Sequence, residues 1–354
     1  MDSTHRELRM RDRDILVLGS SDISELLERK ESEILQLTQK AYEAHGRGDS
    51  SLPHSSFLHF PGDPASRIIA LPAYLGGRVN SAGVKWISSF PANLNQGIDR
   101  ASAILILNTI TTGRPKAIME ASIISARRTG ASAALAARVL QRQNTRVAGL
   151  IGCGPINFEV ARFLLTACPE ITTLSVYDLD PERAETFKEQ CREGIPAVKV
   201  EIEATLVHVL EAASIIAFAT TAGKPHVHDL RACAPGATVL HISLRDLSPQ
   251  VILASDNIVD DVNHVSRAQT SIHLAEQQVG HRDFIRCTLA DILNGIEPSR
   301  RDHHGTAIFS PFGLGILDIA LGEYVFEQAL IKGKGLILPS FLPPSWKQAA
   351  EVPA

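Results

Sequence analysis

The chain has 354 residues, of which 44% are hydrophobic and 21% are charged, and its formal net charge is −4. These values are typical of a two-domain globular protein and exclude a strongly basic nucleic-acid-binding protein. The longest apolar runs are too short to cross a bilayer, and the N-terminus lacks the apolar core of a signal peptide. The five cysteines form no CxxC pair, so we expect a cytoplasmic protein with neither a zinc site nor disulfides.

The first part of the chain mixes helical and strand-like patterns. An apolar run at 15–18 predicts a strand, and Asp22 with Glu25 resembles a capping box that starts a helix reaching to about His45. Four strand-like segments separated by Gly, Pro and Asn turns then predict an antiparallel sheet. These segments are residues 67–75, 83–90, 102–108 and 115–121. An Ala-rich stretch over 120–143 predicts a long helix.

From residue 146 onward, short apolar segments alternate with long connections. The segments that predict strands are 146–151, 172–180, 197–202, 213–221, 237–244 and 256–261. Helices are predicted over 155–167 and 181–190. Strands joined by such long connections pair in parallel, so the pattern predicts an α/β fold with a Rossmann-type doubly wound sheet. Residues 309–330 predict a final helix, and the Pro-rich residues 339–354 predict a loose tail.

A glycine turn after the first of these parallel strands predicts a dinucleotide site. Gly152 permits the tight turn, and Gly154 lets backbone N–H groups approach a pyrophosphate at the start of a helix. Asn157 stands where a third glycine is usual, which weakens the motif. Asp178 ends the next strand, where an acid binds the ribose hydroxyls and repels a 2′-phosphate, so NAD is favoured over NADP. Arg183, one turn into the following helix, keeps NADP as an alternative.

Further cofactor contacts are expected at the start of that helix and at the ends of later strands. The candidates are Pro155, Ile156, Thr220, Thr221, Ser243, Leu244, Ser310 and Gly313. The hydroxyl-bearing strand ends have an equally good explanation as simple turns.

Four charged residues are candidates for chemistry on an amino acid. Arg67 and Arg128 are able to bind carboxylates, and Lys85 is able to stabilise negative charge. Asp246 follows the carboxyl end of a strand, where ligands bind in open α/β sheets. Each also has an ordinary explanation as a surface charge, an edge-strand lysine or a turn residue. Arg127 competes with Arg128, because one residue's rotation of about 100° on a helix would aim the two differently.

Some residues have a suggestive type but no supporting pattern. The segments 226–228 and 302–304 contain histidines of the kind that bind metals, yet no third ligand lies in evident register, so we expect no metal site. A catalytic role for Cys153 is not expected. Asp318 has an alternative explanation as a helix residue paired with an arginine, and Trp86 as a core or dimer-interface anchor.

Eight segments in the same order make the chain resemble the ornithine cyclodeaminase/mu-crystallin family over nearly its whole length. The segments are RIIALPAYLGG, GVKWISS, RASAILILN, EASIISARRTGA, LIGCGPIN, HISLRDLSP, IVDDVNHV and FSPFGLGILDIAL. The likeness is strongest to the 2,3-diaminopropionate-forming branch, the N-(2-amino-2-carboxyethyl)-L-glutamate dehydrogenases of siderophore and peptide-antibiotic pathways.

The resemblance implies a homodimer of two-domain subunits. An α+β substrate-binding and dimerisation domain would comprise residues 1–126 and 315–354, and an NAD-binding Rossmann domain residues 127–314. By the same resemblance Arg67 and Arg128 bind the substrate carboxylate, and Lys85 and Asp246 are catalytic. Cyclodeaminases follow their acid with a Pro-Gly-Lys pattern, whereas this chain has Leu-Ser-Pro after Asp246, which disfavours ornithine cyclisation.

The implied reaction is NAD-dependent cleavage of a small amino-acid substrate, N-(2-amino-2-carboxyethyl)-L-glutamate, to L-2,3-diaminopropionate and 2-oxoglutarate. Alanine dehydrogenase, ketimine reductase and ornithine cyclodeaminase activities are alternatives within the family. A mu-crystallin-like protein that binds a nicotinamide cofactor and a ligand without turnover is an alternative of another class. Retention of Lys85 and Asp246 favours catalysis, because a pure binding protein needs no acid/base pair.

Overall fold

The strands of this chain form two sheets, one mixed and one fully parallel. The computed structural model describes residues 10–141, 145–302 and 304–346. Its strands are β1 (Ile15–Leu18), β2 (Ser50–Ser51), β3 (Ser56–Phe60), β4 (Asp63–Leu75), β5 (Ser81–Ser89), β6 (Ala103–Asn108), β7 (Pro115–Glu120), β8 (Val147–Ile151), β9 (Thr173–Tyr177), β10 (Lys199–Ile202), β11 (Ile215–Phe218), β12 (Thr238–His241), β13 (Asp256–Val259), β14 (Ile285–Thr288), β15 (Ala307–Ser310) and β16 (Leu336–Leu338). Its α-helices are α1 (Ser20–Leu26), α2 (Glu31–Gly46), α3 (Ser122–Leu140), α4 (Pro155–Ala167), α5 (Pro181–Gly194), α6 (Leu206–Ala212), α7 (Pro249–Leu253), α8 (Val262–Val265), α9 (Ser271–Val279), α10 (Leu289–Leu293) and α11 (Gly315–Lys332).

The described residues form two compact units. Those within 1–30, 48–125 and 315–354 make up the first unit, and those within 31–47 and 126–314 make up the second. The sequence-based boundaries assign 31–47 to the first domain, but α2 packs on α4 and α10 of the second unit, and its buried residues include Ile34 and Tyr42. The expected roles of the first unit in substrate binding and dimerisation stay predictions.

The first unit is built on a mixed sheet with the strand order β16-β1-β7-β6-β5-β4-β2, and β3 pairs with β4. Strands β4 to β7 pair antiparallel, as the sequence predicts. Helix α11 packs on β4, β5 and β6. Successive side chains of a strand point to opposite faces. One face of β5 therefore carries buried Lys85, and the opposite face carries Trp86, which is 41% exposed beside Ile104 at 43%.

The second unit contains a fully parallel sheet with the order β10-β9-β8-β11-β12-β15-β13-β14. This confirms the doubly wound parallel sheet predicted from sequence. Strands β11 and β12 are buried along their whole length, because a parallel sheet with both faces covered needs nearly continuous apolar runs. Strand β15 lies between β12 and β13, although it follows both of them in sequence.

The predicted N-terminal helix is wrong in two respects. Gly19, not Asp22, is the N-cap of α1, and the Asp22 carboxylate accepts the Gly19 N–H at 3.0 Å from position N3. The helix also does not continue to His45: α1 ends at Leu26, and α2 starts at Glu31. Arg29 between them has a φ of 54°, a left-handed conformation that an α-helix does not contain.

The predicted helix over 309–330 is wrong in its first part. Residues up to Ser310 belong to strand β15, and α11 begins only at Gly315. Pro311 has no N–H to donate, and Gly313 has a φ of 94°, so the helix cannot start earlier.

The predicted loose tail is anchored in its first part: the Ser340 N–H donates to Asp14 at 3.0 Å, and the Leu342 N–H donates to the Arg13 carbonyl at 3.1 Å. Residues 347–354 lie outside the described ranges. Within those ranges, every helix is too short or too polar to cross a membrane.

Candidate active site

A glycine turn joins β8 to α4 in the second unit. Gly152 has a φ of 93°, and a Cβ at this position would lie 2.6 Å from the Ala219 carbonyl oxygen, so only glycine fits there. Gly154 is the N-cap of α4 and has no side chain to cover the helix end, and Pro155 takes the first helical position. Half-buried Ile156 follows it in the first turn. This open, dipole-positive end of a long helix fits a pyrophosphate.

Asn157 shows how the turn tolerates the loss of the third glycine. Its side chain is fully buried, and its amide nitrogen donates to the carbonyls of Ile151 at 3.0 Å and Gly152 at 2.7 Å. Asn157 in place of a third glycine therefore holds the backbone of the glycine turn in its conformation. From sequence, Asn157 is only a departure from the motif. In the structure, its two hydrogen bonds stabilise the glycine turn.

Asp178 follows β9, the parallel neighbour of β8. One carboxylate oxygen accepts the Cys153 N–H at 2.7 Å, and the other accepts the Asp180 N–H at 3.0 Å. The acid is only partly buried and lies against the glycine turn. Arg183 is also beside this turn, since its Nη2 lies 3.8 Å from the place of a Cβ on Gly154. The acid and the turn together fit the ribose and pyrophosphate of a dinucleotide.

Asp246 is the most heavily hydrogen-bonded acid near this end of the sheet. It has no exposed surface, and the hydroxyls of Thr220 and Ser243 donate to its two carboxylate oxygens. The Nε2 atom of His226 lies 3.1 Å from Oδ1, and the Nε2 atom of His241 lies 3.4 Å from Oδ2. Because β8, β11 and β12 are parallel neighbours, the loops that carry these groups leave the sheet at the same edge as the glycine turn.

The surroundings of Asp246 decide its protonation. Burial by itself would raise the pKa of this carboxyl, but His241, Ser243 and Thr220 stabilise the charged form and hold its pKa well below the usual range. Asp246 is therefore a carboxylate at neutral pH and a weak proton acceptor. His241 has two possible arrangements, because the same nitrogen also lies 3.1 Å from the Asp246 backbone N–H. It either accepts that hydrogen or, when protonated, donates to the carboxylate.

His226 is the one partner of Asp246 that sequence reasoning sets aside as a loop residue. Its side chain is 41% exposed, and its backbone is tied to the acid's own segment. The N–H groups of His226 and Val227 both donate to the Asp246 carbonyl at 2.9 Å, and Val227 forms a β-bridge with Leu247. No local sequence pattern predicts this pairing, because the partners are separated by a helix-free loop and a strand.

The remaining predicted cofactor residues have different surroundings. Thr221 is exposed, whereas buried Leu244 has a φ of 67° and accepts the Ser271 N–H at 2.7 Å. The Ser310 hydroxyl lies 3.3 Å from Nδ1 of His241, so it extends the network around Asp246. Gly313 is held by its N–H, which donates to the buried carboxylate of Asp260 at 2.7 Å.

The structure separates the two candidate arginines on α3. Arg127 is ion-paired with Glu31 at 3.0 Å and Glu159 at 3.2 Å. The Arg128 guanidinium lies beside Gly313, with Nη1 2.8 Å from the place of a Cβ on that glycine. Arg127 thus has a structural pairing, and Arg128 reaches the loop after β15. This favours Arg128 as the ligand-binding residue.

In the first unit, Lys85 forms a buried ion pair. Its Nζ lies 2.9 Å and 2.8 Å from the two carboxylate oxygens of Asp318 on α11, and it donates to the Ser125 hydroxyl at 3.0 Å. Lys85 is 1% exposed and Asp318 is 0% exposed. The expected partner of Asp318, an arginine, is therefore wrong: a lysine takes that place. Both charges are buried, which is tolerated only because they neutralise each other.

Arg67 lies on β4 of the same unit, directly opposite Ser89 of β5. A second arginine, Arg100, donates from Nη1 to the Ser89 hydroxyl at 2.9 Å. Both guanidiniums are half-buried. Sequence reasoning finds Arg67 and overlooks Arg100, which precedes β6 in a polar turn.

Thiol chemistry at Cys153 and metal binding are two further functions that the residue types suggest. Burial raises the pKa of Cys153 to about 12, so its thiol stays neutral near pH 7. Among the described residues, no three His, Cys, Asp or Glu side chains are grouped to hold a metal ion. His303 lies outside the described ranges.

Comparisons with known proteins give a family match and similar relatives. Residues 16–333 match the model of the ornithine cyclodeaminase/mu-crystallin family. The chain is 27% identical to N-((2S)-2-amino-2-carboxyethyl)-L-glutamate dehydrogenase of Staphylococcus aureus, over 92% of this chain and 98% of that protein.

Two solved structures are similar over nearly their whole length. The Delta(1)-pyrroline-2-carboxylate reductase of Thermococcus litoralis, in complex with NADH and L-proline, has a TM-score of 0.85 and 25% identity, covering 91% of this chain and 99% of that one. An archaeal alanine dehydrogenase dimer with bound NAD has a TM-score of 0.82 and 25% identity, covering 92% and 99%.

The family match includes the glycine turn of the second unit and the Lys85 strand of the first. It also includes the segment around Asp246, so every residue that the sequence singles out as catalytic lies within it. The chain therefore belongs to the ornithine cyclodeaminase/mu-crystallin family.

Proposed function

We propose that this protein is a dehydrogenase that cleaves N-(2-amino-2-carboxyethyl)-L-glutamate to L-2,3-diaminopropionate and 2-oxoglutarate. It is an oxidoreductase of its family, and its cofactor is NAD. The observation that carries the proposal is the Asp246 network, a buried carboxylate with an exposed histidine at the edge of the sheet that holds the glycine turn. The 27% identity to the Staphylococcus aureus enzyme with this substrate supports the choice of substrate.

The second unit supplies the cofactor site. When bound, NAD would supply the acceptor for the hydride that leaves the oxidised carbon. Backbone N–H groups at the start of α4 bind the pyrophosphate, which the turn at Gly152 and Gly154 admits without steric conflict. Asp178 hydrogen-bonds the adenosine ribose and repels a 2′-phosphate. Thr220, Ser243 and Ser310 line the same end of the sheet.

Positively charged side chains bind the substrate carboxylates. Arg67 and Arg128 bind a carboxylate of the glutamate half, because a planar guanidinium donates two parallel hydrogen bonds. Lys85 is held in place by Asp318 and Ser125 and stabilises negative charge on the substrate.

Proton transfer depends on Asp246 and His226. Hydride loss from the glutamate Cα needs a neutral nitrogen, so a base first takes the proton of the substrate ammonium group. Asp246 alone is a poor base because of its low pKa, whereas a neutral imidazole has one nitrogen that accepts a proton. Asp246 accepts the Nε2 hydrogen of His226 and orients the ring, which leaves Nδ1 able to take the proton.

The remaining steps conserve atoms and charge. Loss of hydride from Cα of the neutral amine produces an iminium ion, and water adds to its carbon with release of one proton to solvent. The resulting carbinolamine breaks its C–N bond to release 2-oxoglutarate, and the nitrogen leaves as the side-chain amine of diaminopropionate. His226 returns its proton to that leaving amine. The product then serves the assembly of a siderophore or a peptide natural product.

A turnover assay tests the proposal directly. Purified protein is mixed with N-(2-amino-2-carboxyethyl)-L-glutamate and NAD, NADH is followed by absorbance, and both carbon products are identified. We expect NADH, 2-oxoglutarate and diaminopropionate in equal amounts. No turnover of this compound, together with turnover of L-alanine or a cyclic imine, would overturn the proposed substrate. NAD binding without any turnover would instead favour the non-catalytic alternative.

The acid/base assignment has its own test in the pH profile of kcat/KM. Asp246→Asn should lower turnover at every pH, because His226 loses its orienting carboxylate. His226→Gln should lower turnover and also remove the acidic limb of the profile. If His226→Gln keeps that limb, the proton goes to another group. His228→Gln, an exposed histidine two residues away, is the matched control.

A further inference from the structure

Two arginines of the first unit share one end and one face of its sheet. Arg67 and Ser89 are directly opposite on β4 and β5, so their side chains point to the same face. Arg100 reaches that face because its Nη1 donates to the Ser89 hydroxyl at 2.9 Å. The backbone of Arg100 is fixed there as well, since its carbonyl accepts the Phe90 N–H at 2.8 Å.

The charge of this arginine pair is not balanced by the protein. Within residues 10–141, 145–302 and 304–346, no carboxylate lies within 4.0 Å of the guanidinium of Arg67 or of Arg100. Burial, and then the positive charge of Arg67, lower the pKa of Arg100. Like charges held together in a half-buried place repel each other. This repulsion costs free energy in the folded protein, and a bound anion would reduce that cost.

Lys85 lies on the same face, because it precedes Ser89 by four residues on β5. Its charge is already neutralised by Asp318 at 2.8 Å. The positive charge that this face offers to a ligand is therefore concentrated at the Arg67 end. A substrate with one carboxylate would leave one of the two guanidiniums without an anion.

We infer that Arg100, paired with Arg67, binds a further carboxylate of the substrate and that the pair selects compounds with more than one carboxylate. This inference rests on the proposed function, whose substrate carries three carboxylates where alanine and proline carry one. Arg100 acts by direct contact with the substrate, and Ser89 positions it. The pair thus sets the substrate class of the site.

Binding of simple carboxylic acids to the NADH-loaded protein tests the site without turnover. Glutarate, with two carboxylates, is titrated against butyrate, with one, by calorimetry. The wild type should bind glutarate about 10- to 100-fold more tightly, as expected for one charge-assisted hydrogen-bonded pair. Arg100→Gln should abolish that difference, and Arg100→Lys should keep part of it. Arg78→Gln, which removes an exposed arginine of the same unit, is the matched control and should change nothing.

Turnover separates failure of the site from failure of the proposed function. In Arg100→Gln, the KM for N-(2-amino-2-carboxyethyl)-L-glutamate should rise about 10- to 100-fold while kcat changes less. If KM and glutarate affinity both stay at the wild-type value, the inference is wrong although the function holds. If the wild type does not turn over this compound but glutarate binding still depends on Arg100, the site stands and the proposed function is wrong.

Discussion

Two pairs of arginines, one in each unit, differ in what balances their charge. In the second unit, Arg127 and Arg162 share the carboxylates of Glu31 and Glu159 at distances of 3.0 to 3.7 Å. In the first unit, the Arg67–Arg100 pair has no carboxylate within 4.0 Å among the described residues. Removing one partner of a balanced pair leaves a buried charge uncompensated and destabilises the protein, whereas we expect unbalanced charges to be available to a ligand. The comparison predicts that Arg127 and Arg162 are structural and that Arg67 and Arg100 bind a ligand.

Lys85 is both balanced by a carboxylate of the chain and proposed to act on the substrate. Its replacement should therefore have the largest effect on activity and stability. Lys85→Met removes a proposed catalytic charge and leaves Asp318 buried without its cation. We expect kcat/KM to fall at least about 1000-fold and the free energy of unfolding to fall by about 3 to 5 kcal/mol, measured by kinetics and urea denaturation.

The double variant Lys85→Met, Asp318→Leu separates the two roles of this lysine. It should recover most of the stability, because no buried charge is left unpaired, but none of the activity. Recovery of turnover in this variant would mean that Lys85 is only a structural partner of Asp318.

Arg127→Met tests the balanced side of the comparison. It leaves Arg162, 3.7 Å from both acids, as the cation that balances Glu31 and Glu159, so we expect about 2 to 4 kcal/mol less stability with KM nearly unchanged. Arg100→Gln should do the reverse, leaving the urea midpoint at or above the wild-type value while KM rises. Equal losses of stability in both variants would remove the distinction between the two arginine pairs.

Asp178 extends the comparison to a negative charge. Among the described residues its carboxylate accepts only backbone N–H groups, from Cys153 and Asp180. We expect Asp178→Ala to change stability little and to shift the ratio of kcat/KM for NAD over NADP toward NADP by about 10-fold, or about 1.4 kcal/mol. An unchanged ratio would mean that Asp178 serves the turn and not the ribose.

The smallest expected effect concerns apolar side chains that the chain leaves uncovered. Trp86 and Ile104 are 41% and 43% exposed as neighbours on the outer face of the first sheet. We propose that this face forms a homodimer interface. Trp86→Lys should then weaken association about 10-fold or more, measured by sedimentation equilibrium, with Leu179→Lys as a control at an 89% exposed position. An unchanged dissociation constant would locate association elsewhere.

Much of the fold could be predicted from sequence because its strands carry strong local signals. The strands β8, β9, β11 and β12 are apolar runs separated by long connections. The length of the runs and of the connections between them predicts parallel pairing. Strand β15 was missed because its four residues merge with the Pro-Gly loop that follows. The break at Arg29 was missed because an arginine with positive φ has no compositional signature.

Site residues could be predicted from sequence where they belong to a local motif. They could not be predicted where their role depends on contacts with residues distant in sequence. Gly152 and Asp178 belong to a motif with fixed order and spacing. His226 meets Asp246 only because a β-bridge joins their segments. Arg100 meets Arg67 only through Ser89 on the strand between them. Such contacts depend on the register in which strands pair, and the residue types alone do not determine that register.

The position of β15 in the parallel sheet has a consequence for synthesis on the ribosome. This strand is inserted between β12 and β13, so the second sheet stays open until residue 310 has left the exit tunnel. The first sheet waits longer still, because β16 pairs with β1 across nearly the entire chain. Neither sheet is complete in a nascent N-terminal fragment, so we expect both units to finish folding only after β15 and β16 have been synthesised.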